Sequence, residues 1–342
     1  MNKRVTQMRL EIEEIPAAVD RLLSEGGDAV GRAASGIRDQ NARFLMSVAR
    51  GSSDHACTYL KYASEILLGR PMASIGPSVA SIYGATLDVR DSICLSVSQS
   101  GQSPDIVKMT ETVTDGGAYS VAITNDPASP LTRAASATLP IFAGPELSVA
   151  ATKTFVTSLA AGLWLLAEVN RNKALLQAIH ALPEKLAAAT QCDWSAAANA
   201  ITGQSLFTLG RGPSWAISNE AALKFKETCQ IHAESYSSAE VLHGPVSIVD
   251  RGFPVIGFAA GDAAEKALVE VADALSEKGA EVFVTSSKAQ HAACLEHVRT
   301  DHWMTDPIAA VVSFYSMVEQ VAVARGINPD APRHLKKVTE TV

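Results

Sequence analysis

The sequence lacks the features that mark several large classes of protein. No block of like charge interrupts the chain, and 29 Lys and Arg against 36 Asp and Glu give a formal net charge of -7. This balance argues against a nucleic-acid-binding protein, because such proteins usually carry a basic face. Residues 1–40, where we expect an acidic helical segment, contain no basic recognition helix either.

Cysteines and long apolar runs are also scarce. The five Cys residues show no C-x-x-C spacing and lie in or beside apolar segments, which predicts buried, reduced thiols. Residues 1–15 are polar and acidic, unlike a secretory signal. The longest continuous apolar run, 159–167, is far shorter than the roughly 20 residues that cross a bilayer. We therefore expect a soluble cytoplasmic protein.

Short apolar strands alternate with helical patterns over most of the chain. Strands are predicted at residues 43–49, 71–75, 92–98, 119–124, 138–142, 205–210, 254–259 and 280–285. Helices are predicted at residues 54–68, 104–115, 152–190, 214–230, 262–278 and 307–325. This alternation predicts an α/β fold with parallel sheets covered by helices, in which ligands bind beyond the carboxyl ends of the strands.

The pattern of the first half restarts in the second half. The strands at 44–49 and 205–210 each lead into an Arg-Gly pair and then a hydroxyl residue at the start of a helix. The helices that follow end in Glu65 and Glu227, at nearly the same offset. A repeat of about 160 residues predicts two related domains rather than a solenoid.

Residues 98–103, of sequence Ser-Gln-Ser-Gly-Gln-Ser, join a strand to a helix in the first half. The side chains can donate hydrogen bonds to a phosphate, the glycine lets the backbone come close, and the helix N-terminus attracts an anion. The loop contains no Lys and no Gly-x-x-x-x-Gly-Lys pattern, so it is not a nucleotide P-loop. The alternative is a Ser-rich turn in which Ser100 or Ser103 only caps the helix. The second half has no such loop, so we expect one phosphate site per chain.

Further motifs accompany this loop in a fixed order. They are Met8, Glu11, Ile12, Glu14 and Pro16 near the start, the run 50–53, the runs 144–155, 222–234 and 243–245, and Gly326, Pro329, Asp330, Pro332, Arg333, Leu335 and Lys337 in the tail. The ordered set resembles the sugar isomerase (SIS) superfamily. It is most similar to the isomerase region of glucosamine-6-phosphate synthases and to the stand-alone glucosamine-6-phosphate deaminases of that superfamily.

The resemblance implies an architecture. It implies two tandem flavodoxin-like, parallel-sheet SIS domains related by duplication. The first would occupy residues 41–190 and carry the phosphate loop, and the second would occupy residues 191–325 and carry the acid and base residues. An N-terminal helical segment, 1–40, would precede them, and an active-site tail, 326–342, would follow.

The resemblance also implies roles for individual residues. The substrate-binding residues would be Ser53, Ser98, Gln99, Ser100 and Ser103 at the phosphate, Ser52 at a sugar hydroxyl, and Val149. The catalytic residues would be Glu227 as the proton-shuttling base, His243 as the ring-opening group, Lys337 as an imine-forming or charged group, and Lys224. The family's His reaches the site from the neighbouring subunit, which implies a homodimer.

Departures from the synthase pattern narrow the range of reactions that the resemblance implies. An Ala in the run 149–153 replaces a Ser of the synthases, and Leu242 replaces a Lys, as in the deaminases and isomerases. The chain begins with Met1 and Asn2 rather than a catalytic Cys, so we expect no glutaminase domain and no ammonia from glutamine. We predict an enzyme that converts glucosamine-6-phosphate to fructose-6-phosphate and ammonia.

Other interpretations stay open at this stage. Close variants are a plain aldose–ketose isomerase and a fructosamine-phosphate deglycase. A non-catalytic sugar-phosphate sensor is the second interpretation, and a synthase fed by a separate ammonia source is a third for which nothing in the sequence asks. Glu227 can be a solvated helix-end carboxylate, His243 a structural donor in a turn, and Lys337 part of a frayed pair. We expect no cofactor and no metal, because His232 and Glu234 have no third ligand at a usable spacing.

Overall fold

The structure is a computed structural model that describes residues 5–337. The described chain forms two compact units. The first unit comprises residues 17–146, 153–180 and 336–337, and the second comprises residues 5–16, 147–152 and 181–335. The linear domain boundaries expected above stay a prediction.

The chain alternates strands and helices over most of its length. The strands are β1 (Phe44–Val48), β2 (Met72–Ser74), β3 (Ser92–Val97), β4 (Tyr119–Thr124), β5 (Ala137–Pro140), β6 (Ser205–Gly210), β7 (His232–Ser237), β8 (Pro254–Phe258), β9 (Glu281–Val284) and β10 (Ala293–Cys294). The helices are α1 (Gln7–Glu13), α2 (Ile15–Glu25), α3 (Gly27–Asp39), α4 (Ser52–Leu68), α5 (Ser78–Ser81), α6 (Pro104–Asp115), α7 (Pro130–Ala134), α8 (Lys153–Asn170), α9 (Lys173–His180), α10 (Leu182–Ala189), α11 (Ser195–Ala200), α12 (Pro213–Cys229), α13 (Glu265–Glu277) and α14 (Asp306–Ala324). Two 3₁₀ turns, Glu240–His243 and Pro245–Ile248, lie between β7 and β8.

Each unit is built on one parallel five-stranded sheet. The strand order is β2-β1-β3-β4-β5 in the first unit and β7-β6-β8-β9-β10 in the second. Both follow the 2-1-3-4-5 order of flavodoxin-like folds. The central strands β3 and β8 are buried along their whole length, as expected for parallel strands with helices on both faces. The predicted fold is therefore confirmed.

The backbone confirms the predicted duplication. Gly51 before α4 has φ 56° and ψ -133°, and Gly212 before α12 has φ 57° and ψ -137°. Both helices are 17 residues long and end in a left-handed residue, Gly69 or Gln230. A positive φ at both turns explains the repeated glycine, because this conformation is costly for residues with a Cβ.

All of the predicted strands form, but the sequence patterns did not predict β7 and β10. β7 has the sequence His-Ala-Glu-Ser-Tyr-Ser, in which polar residues hide the strand pattern, and β10 has only two residues. The predicted helical region 152–190 consists of three helices, α8, α9 and α10, and a left-handed Arg171 (φ 57°) follows α8. The prediction of buried thiols is correct for four cysteines and wrong for Cys294, which is exposed on the edge strand β10.

Helix α14 forms part of the core of the second unit. By length and composition it is apolar enough to cross a membrane, but 78% of its apolar window is buried inside the protein. It packs against α12, α10, α11 and α1. Its Ser, Glu and Gln residues interrupt the continuous apolar run, which is why 159–167 is the longest such run in the sequence.

Candidate functional site

The predicted phosphate loop, residues 98–103, connects the end of β3 to the start of α6 in the first unit. The Ser98 hydroxyl is buried and accepts the Gly101 N–H at 3.2 Å. The Ser100 hydroxyl accepts the Gln102 N–H at 3.2 Å. These are long, neutral hydrogen bonds, which an anionic ligand with stronger acceptor oxygens can replace.

The loop geometry does not match the alternative in which Ser100 or Ser103 only caps the helix. Ser103 occupies the N-cap position of α6, but its side chain makes no capping hydrogen bond. Ser100 bonds within the loop rather than to the helix. The hydroxyl of Ser103 is therefore not used as a helix cap, which favours the ligand-binding interpretation of the loop.

Gly101 is required for the shape of this loop. Its φ is 61°, and a Cβ added there would lie 2.1 Å from the Ser129 hydroxyl. Ser129 is fully buried, and its hydroxyl has no hydrogen-bond partner among the described residues. The loop thus lies directly over a buried hydroxyl and leaves no room for a side chain.

Ser52 and Ser53 are the first two residues of α4, at the end of β1. Because β1 and β3 are adjacent and parallel, with Val48 paired to Ser96, their carboxyl ends lie at the same edge of the sheet. The structure therefore brings Ser52 and Ser53 to the edge that carries the phosphate loop. Both are half-buried.

Arg50 is a residue of this edge whose role sequence analysis missed. Its Nε and Nη2 donate to one carboxylate oxygen of Asp105 at 3.1 and 2.9 Å. The Asp105 side chain is 1% exposed, whereas Arg50 is 52% exposed. Asp105 lies in the first turn of α6, where a negative charge would repel a phosphate, so Arg50 neutralises that charge beside a loop that has no Lys.

Replacing Arg50 by Met is expected to weaken phosphate binding about tenfold. It should also lower the free energy of unfolding by about 1–3 kcal/mol, because the buried Asp105 carboxylate loses its charged partner. Titration calorimetry with inorganic phosphate and urea unfolding measure the two effects. The Arg50→Met/Asp105→Asn double variant is the control, since it removes both charges and should recover part of each loss. Wild-type phosphate affinity in Arg50→Met would contradict the assigned role.

Helix α12 of the second unit carries a buried charged cluster. Lys224 Nζ lies 2.5 Å from a Glu227 carboxylate oxygen and 3.1 Å from a Glu220 carboxylate oxygen. The Tyr315 hydroxyl on α14 donates to Glu220 at 3.0 Å. Lys224 and Glu220 are fully buried, and Glu227 is 20% exposed. Glu227 is thus the solvent-reachable end of the cluster, and not the freely solvated carboxylate of the alternative interpretation.

The charges of this cluster determine what Lys224 can do. Burial opposes its charged form, but the Glu220 and Glu227 carboxylates outweigh burial and hold the pKa of Lys224 well above its ordinary range. Lys224 is therefore an ammonium at neutral pH and cannot act as a base or nucleophile. Its ammonium can instead orient the Glu227 carboxylate and keep a positive charge beside that carboxylate.

His243 ends the short 3₁₀ turn Glu240–His243 and is exposed. The Gly244 that follows has φ 142°, a conformation reserved for glycine, so the turn is sharply defined. None of the described contacts that join Glu220, Lys224 and Glu227 includes His243. Its contribution across a dimer interface stays a prediction.

Lys337, in the tail, is paired rather than frayed. Its Nζ lies 2.7 Å from a carboxylate oxygen of Glu146, and its side chain is 25% exposed. Glu146 also accepts the Thr154 N–H at 3.0 Å and the Thr154 hydroxyl at 2.7 Å. Burial disfavours the Glu146 carboxylate, but Lys337 and Thr154 outweigh burial and lower its pKa. The Glu146 carboxylate therefore holds the Lys337 ammonium in place.

Replacing Lys337 by Met is expected to lower the free energy of unfolding more at neutral pH than in acid, because it leaves the buried Glu146 carboxylate without this ammonium. The lowered pKa of Glu146 means that the ion pair stabilises the folded state above the ordinary carboxyl pKa and that this stability is lost as pH falls through the lowered value. Without Lys337, burial should raise the pKa of Glu146, so the folded state takes up a proton before the unfolded state does, and the variant regains stability as the pH falls from 7 towards the ordinary carboxyl pKa. Urea unfolding between pH 4 and 7 measures the shift, with the exposed Lys226→Met as control. Parallel pH profiles for the wild type and Lys337→Met would contradict this assignment.

Val149 lies in a short segment that the second unit holds in place. Its backbone N–H donates to the Asp330 carbonyl at 3.4 Å. The buried Glu11 carboxylate accepts the backbone N–H groups of Leu147 and Ser148. The motif residue Glu11, near the start of the chain, thus positions the segment next to Val149.

Neither a cluster of metal ligands nor one of the two cavities given below coincides with the predicted site residues in the described chain. No group of three or more His, Cys, Asp or Glu within residues 5–337 is arranged to hold one. Two surface cavities, of about 470 and 800 Å³, are lined by none of the predicted site residues.

Comparisons with known proteins agree with these features. Residues 37–168 and 202–325 match the profile of the SIS domain. A glutamine–fructose-6-phosphate aminotransferase (isomerizing) of Sulfolobus acidocaldarius is 29% identical over 333 residues, which are 96% of this chain and 55% of that protein. The chain spans about half the length of the curated relatives it matches.

Solved structures are similar over nearly the whole chain. A protein of Silicibacter pomeroyi DSS-3 assigned as a phosphosugar isomerase is 61% identical with a TM-score of 0.93, covering 95% of this chain and 100% of that one. A glucosamine-6-phosphate deaminase of Thermotoga maritima is 19% identical with a TM-score of 0.79, covering 98% of this chain and 100% of that one. The second likeness, at that identity, shows a shared fold alone.

Proposed function

Because the chain belongs to the SIS-domain family of phosphosugar isomerases, we propose that it converts glucosamine-6-phosphate and water to fructose-6-phosphate and ammonia. The observation that carries the proposal is the Lys224–Glu227 pair, an oriented carboxylate at the accessible end of a buried charged cluster. A hydroxyl-rich loop that can anchor a phosphate accompanies it in the same chain.

The phosphate group would anchor the proposed substrate in the site. Ser98, Gln99, Ser100 and Ser103, with Ser53 at the start of α4, would donate hydrogen bonds to it. A fixed phosphate places C1 and C2 of the sugar reproducibly, and such positioning supplies a large part of a rate enhancement. Ser52 and Val149 would contact the rest of the sugar.

The proposed reaction shifts one proton from C2 to C1 and a second from the nitrogen to O1, and then adds water. His243 opens the sugar ring, and Glu227 removes the proton from C2 of the open-chain aldehyde to give an enolamine. Return of a proton to C1 gives an imine at C2, and water hydrolyses it to the ketone and ammonia. Glu227 suits the transfer because its carboxylate is held by Lys224 and remains reachable.

Lys337 has two possible roles in this scheme. In the observed state its ammonium is paired with Glu146, which stabilises charge rather than supplying a nucleophile. An imine between Lys337 and a ketose carbon would require that pair to break and the ammonium to lose a proton. We propose the charged role, in which Lys337 secures the tail and faces developing negative charge on the sugar oxygens. We also propose a homodimer in which His243 acts on the neighbouring chain.

A plain aldose–ketose phosphosugar isomerase is the second candidate. The 61% identical relative assigned as a phosphosugar isomerase favours it. It would use the same loop and the same Glu227, without an amine at C2. A fructosamine-phosphate deglycase differs only in the group attached to nitrogen, and a sugar-phosphate sensor would bind without turnover.

Product analysis separates these functions. Purified protein is incubated with glucosamine-6-phosphate, and ammonia and fructose-6-phosphate are measured in parallel coupled assays. The proposal expects the two products in equal amounts. Turnover of a neutral aldose phosphate with no ammonia from the amino sugar would favour the plain isomerase, and thermal stabilisation without turnover would favour the sensor.

A further inference from the structure

The two halves carry loops of equal length at equivalent positions. In the first unit, residues 98–103 join β3 to α6, and in the second, residues 259–264 join β8 to α13. Each loop follows the third strand of its duplicated half and contains one glycine, Gly101 or Gly261. The second loop reads Ala-Ala-Gly-Asp-Ala-Ala and has no hydroxyl group.

A carboxylate of the chain itself occupies this second loop. Asp306, at the start of α14, accepts the Gly261 N–H at 2.8 Å through one oxygen. Its other oxygen accepts the backbone N–H and the hydroxyl of Thr300, both at 2.8 Å. Asp306 is 3% exposed, and a Cβ on Gly261 would lie 3.2 Å from its oxygen. The glycine therefore allows a close approach between the loop backbone and an anionic oxygen.

Arg299 supplies positive charge at the same place. Its guanidinium lies 3.4 Å from Asp306 and 2.7 Å from the buried Glu265 carboxylate. It also donates to the carbonyls of Ala259 at 2.8 Å and Thr285 at 3.0 Å, the residues that directly follow β8 and β9. The position thus combines a backbone N–H at a glycine, hydroxyl and amide donors and a guanidinium. These are the groups that bind a phosphate or carboxylate.

We propose that Asp306 is an internal anion that fills the second, duplicated ligand position. The first loop keeps its donors in neutral bonds to Ser98 and Ser100, which a ligand can displace. The second loop holds a charge-assisted bond to a residue that cannot diffuse away. The chain therefore binds one phosphate rather than two, and removal of the Asp306 carboxylate opens a site for a small anion.

Formate and inorganic phosphate are the probes for this site. Asp306→Ser removes the carboxylate and leaves space, whereas Asp306→Asn keeps the shape and the acceptor oxygen and serves as the matched control. We expect 100 mM sodium formate to raise the Tm of Asp306→Ser by about 3 °C more than equal sodium chloride does. The wild type and Asp306→Asn should respond by less than about 1 °C. An Asp306→Ser response equal to that of the wild type would overturn the proposal.

Phosphate stoichiometry gives a second test that does not depend on the variant folding. Equilibrium dialysis should find no more than one phosphate per wild-type chain, and one more in Asp306→Ser when that variant folds. A second wild-type phosphate that is lost in Arg299→Met would overturn the proposal. Loss of the first phosphate in Ser100→Ala/Ser103→Ala, with the formate response of Asp306→Ser intact, would separate this inference from the proposed reaction.

Discussion

Replacing Glu227 by Gln is expected to reduce the rate of ammonia formation by about 10²–10⁴-fold. Gln keeps the size of the side chain and an oxygen that can accept from Lys224, but it cannot take a proton from C2. Phosphate affinity should stay within about twofold, because the substitution leaves every residue of the loop 98–103 unchanged. Steady-state kinetics and calorimetry measure the two quantities.

Glu65 provides a matched control for this variant. It lies in the last turn of the duplicated helix α4, is 2.8 Å from Lys61 and is 31% exposed, much as Glu227 pairs with Lys224. Glu65→Gln removes a similar charge from a similar helix end, and we expect kcat to stay near the wild-type value. Full activity in Glu227→Gln, or equal losses in the two variants, would remove Glu227 from the mechanism.

Replacing Lys224 by Met is expected to lower the free energy of unfolding by about 3–5 kcal/mol. The substitution removes the ammonium beside the fully buried Glu220 carboxylate, to which the neutral Tyr315 hydroxyl still donates. The same change at Lys226, which is exposed on the same helix, should alter stability by less than about 0.5 kcal/mol. Urea unfolding followed by circular dichroism measures both.

A double variant shows whether the charge itself is responsible. Glu220→Gln/Lys224→Met removes both charges, so it should regain part of the stability lost in Lys224→Met alone. Activity should remain low, since Glu227 would still lack its partner. A Lys224→Met protein as stable as Lys226→Met would show that the buried pair contributes nothing to folding.

Local sequence patterns predicted most of the fold. Continuous apolar strands such as β3 and β8 stand out because both faces of a parallel sheet are covered. The Arg-Gly turns at Gly51 and Gly212 identified the duplication because a positive φ requires glycine. β7 was missed because its polar residues break the apolar run, and β10 was missed because two residues carry no pattern.

The candidate site was predictable only where its parts are local. The loop 98–103 is contiguous, so its chemistry can be recognised in the sequence. Arg50 and Asp105 are 55 residues apart, Glu11 and Leu147 are 136 apart, and Lys337 and Glu146 are 191 apart. Such spacings carry no helix or strand periodicity, and only the folded chain brings these residues together.

The most direct test of the proposed mechanism follows the hydrogen at C2. Glucosamine-6-phosphate deuterated at C2 is incubated with the wild type and with Glu227→Gln, and the label is followed by NMR while ammonia is measured. The mechanism predicts that the wild type moves deuterium from C2 to C1 or to water as ammonia forms, and that Glu227→Gln does neither. Deuterium retained at C2 by a wild-type protein that binds the sugar phosphate would contradict it.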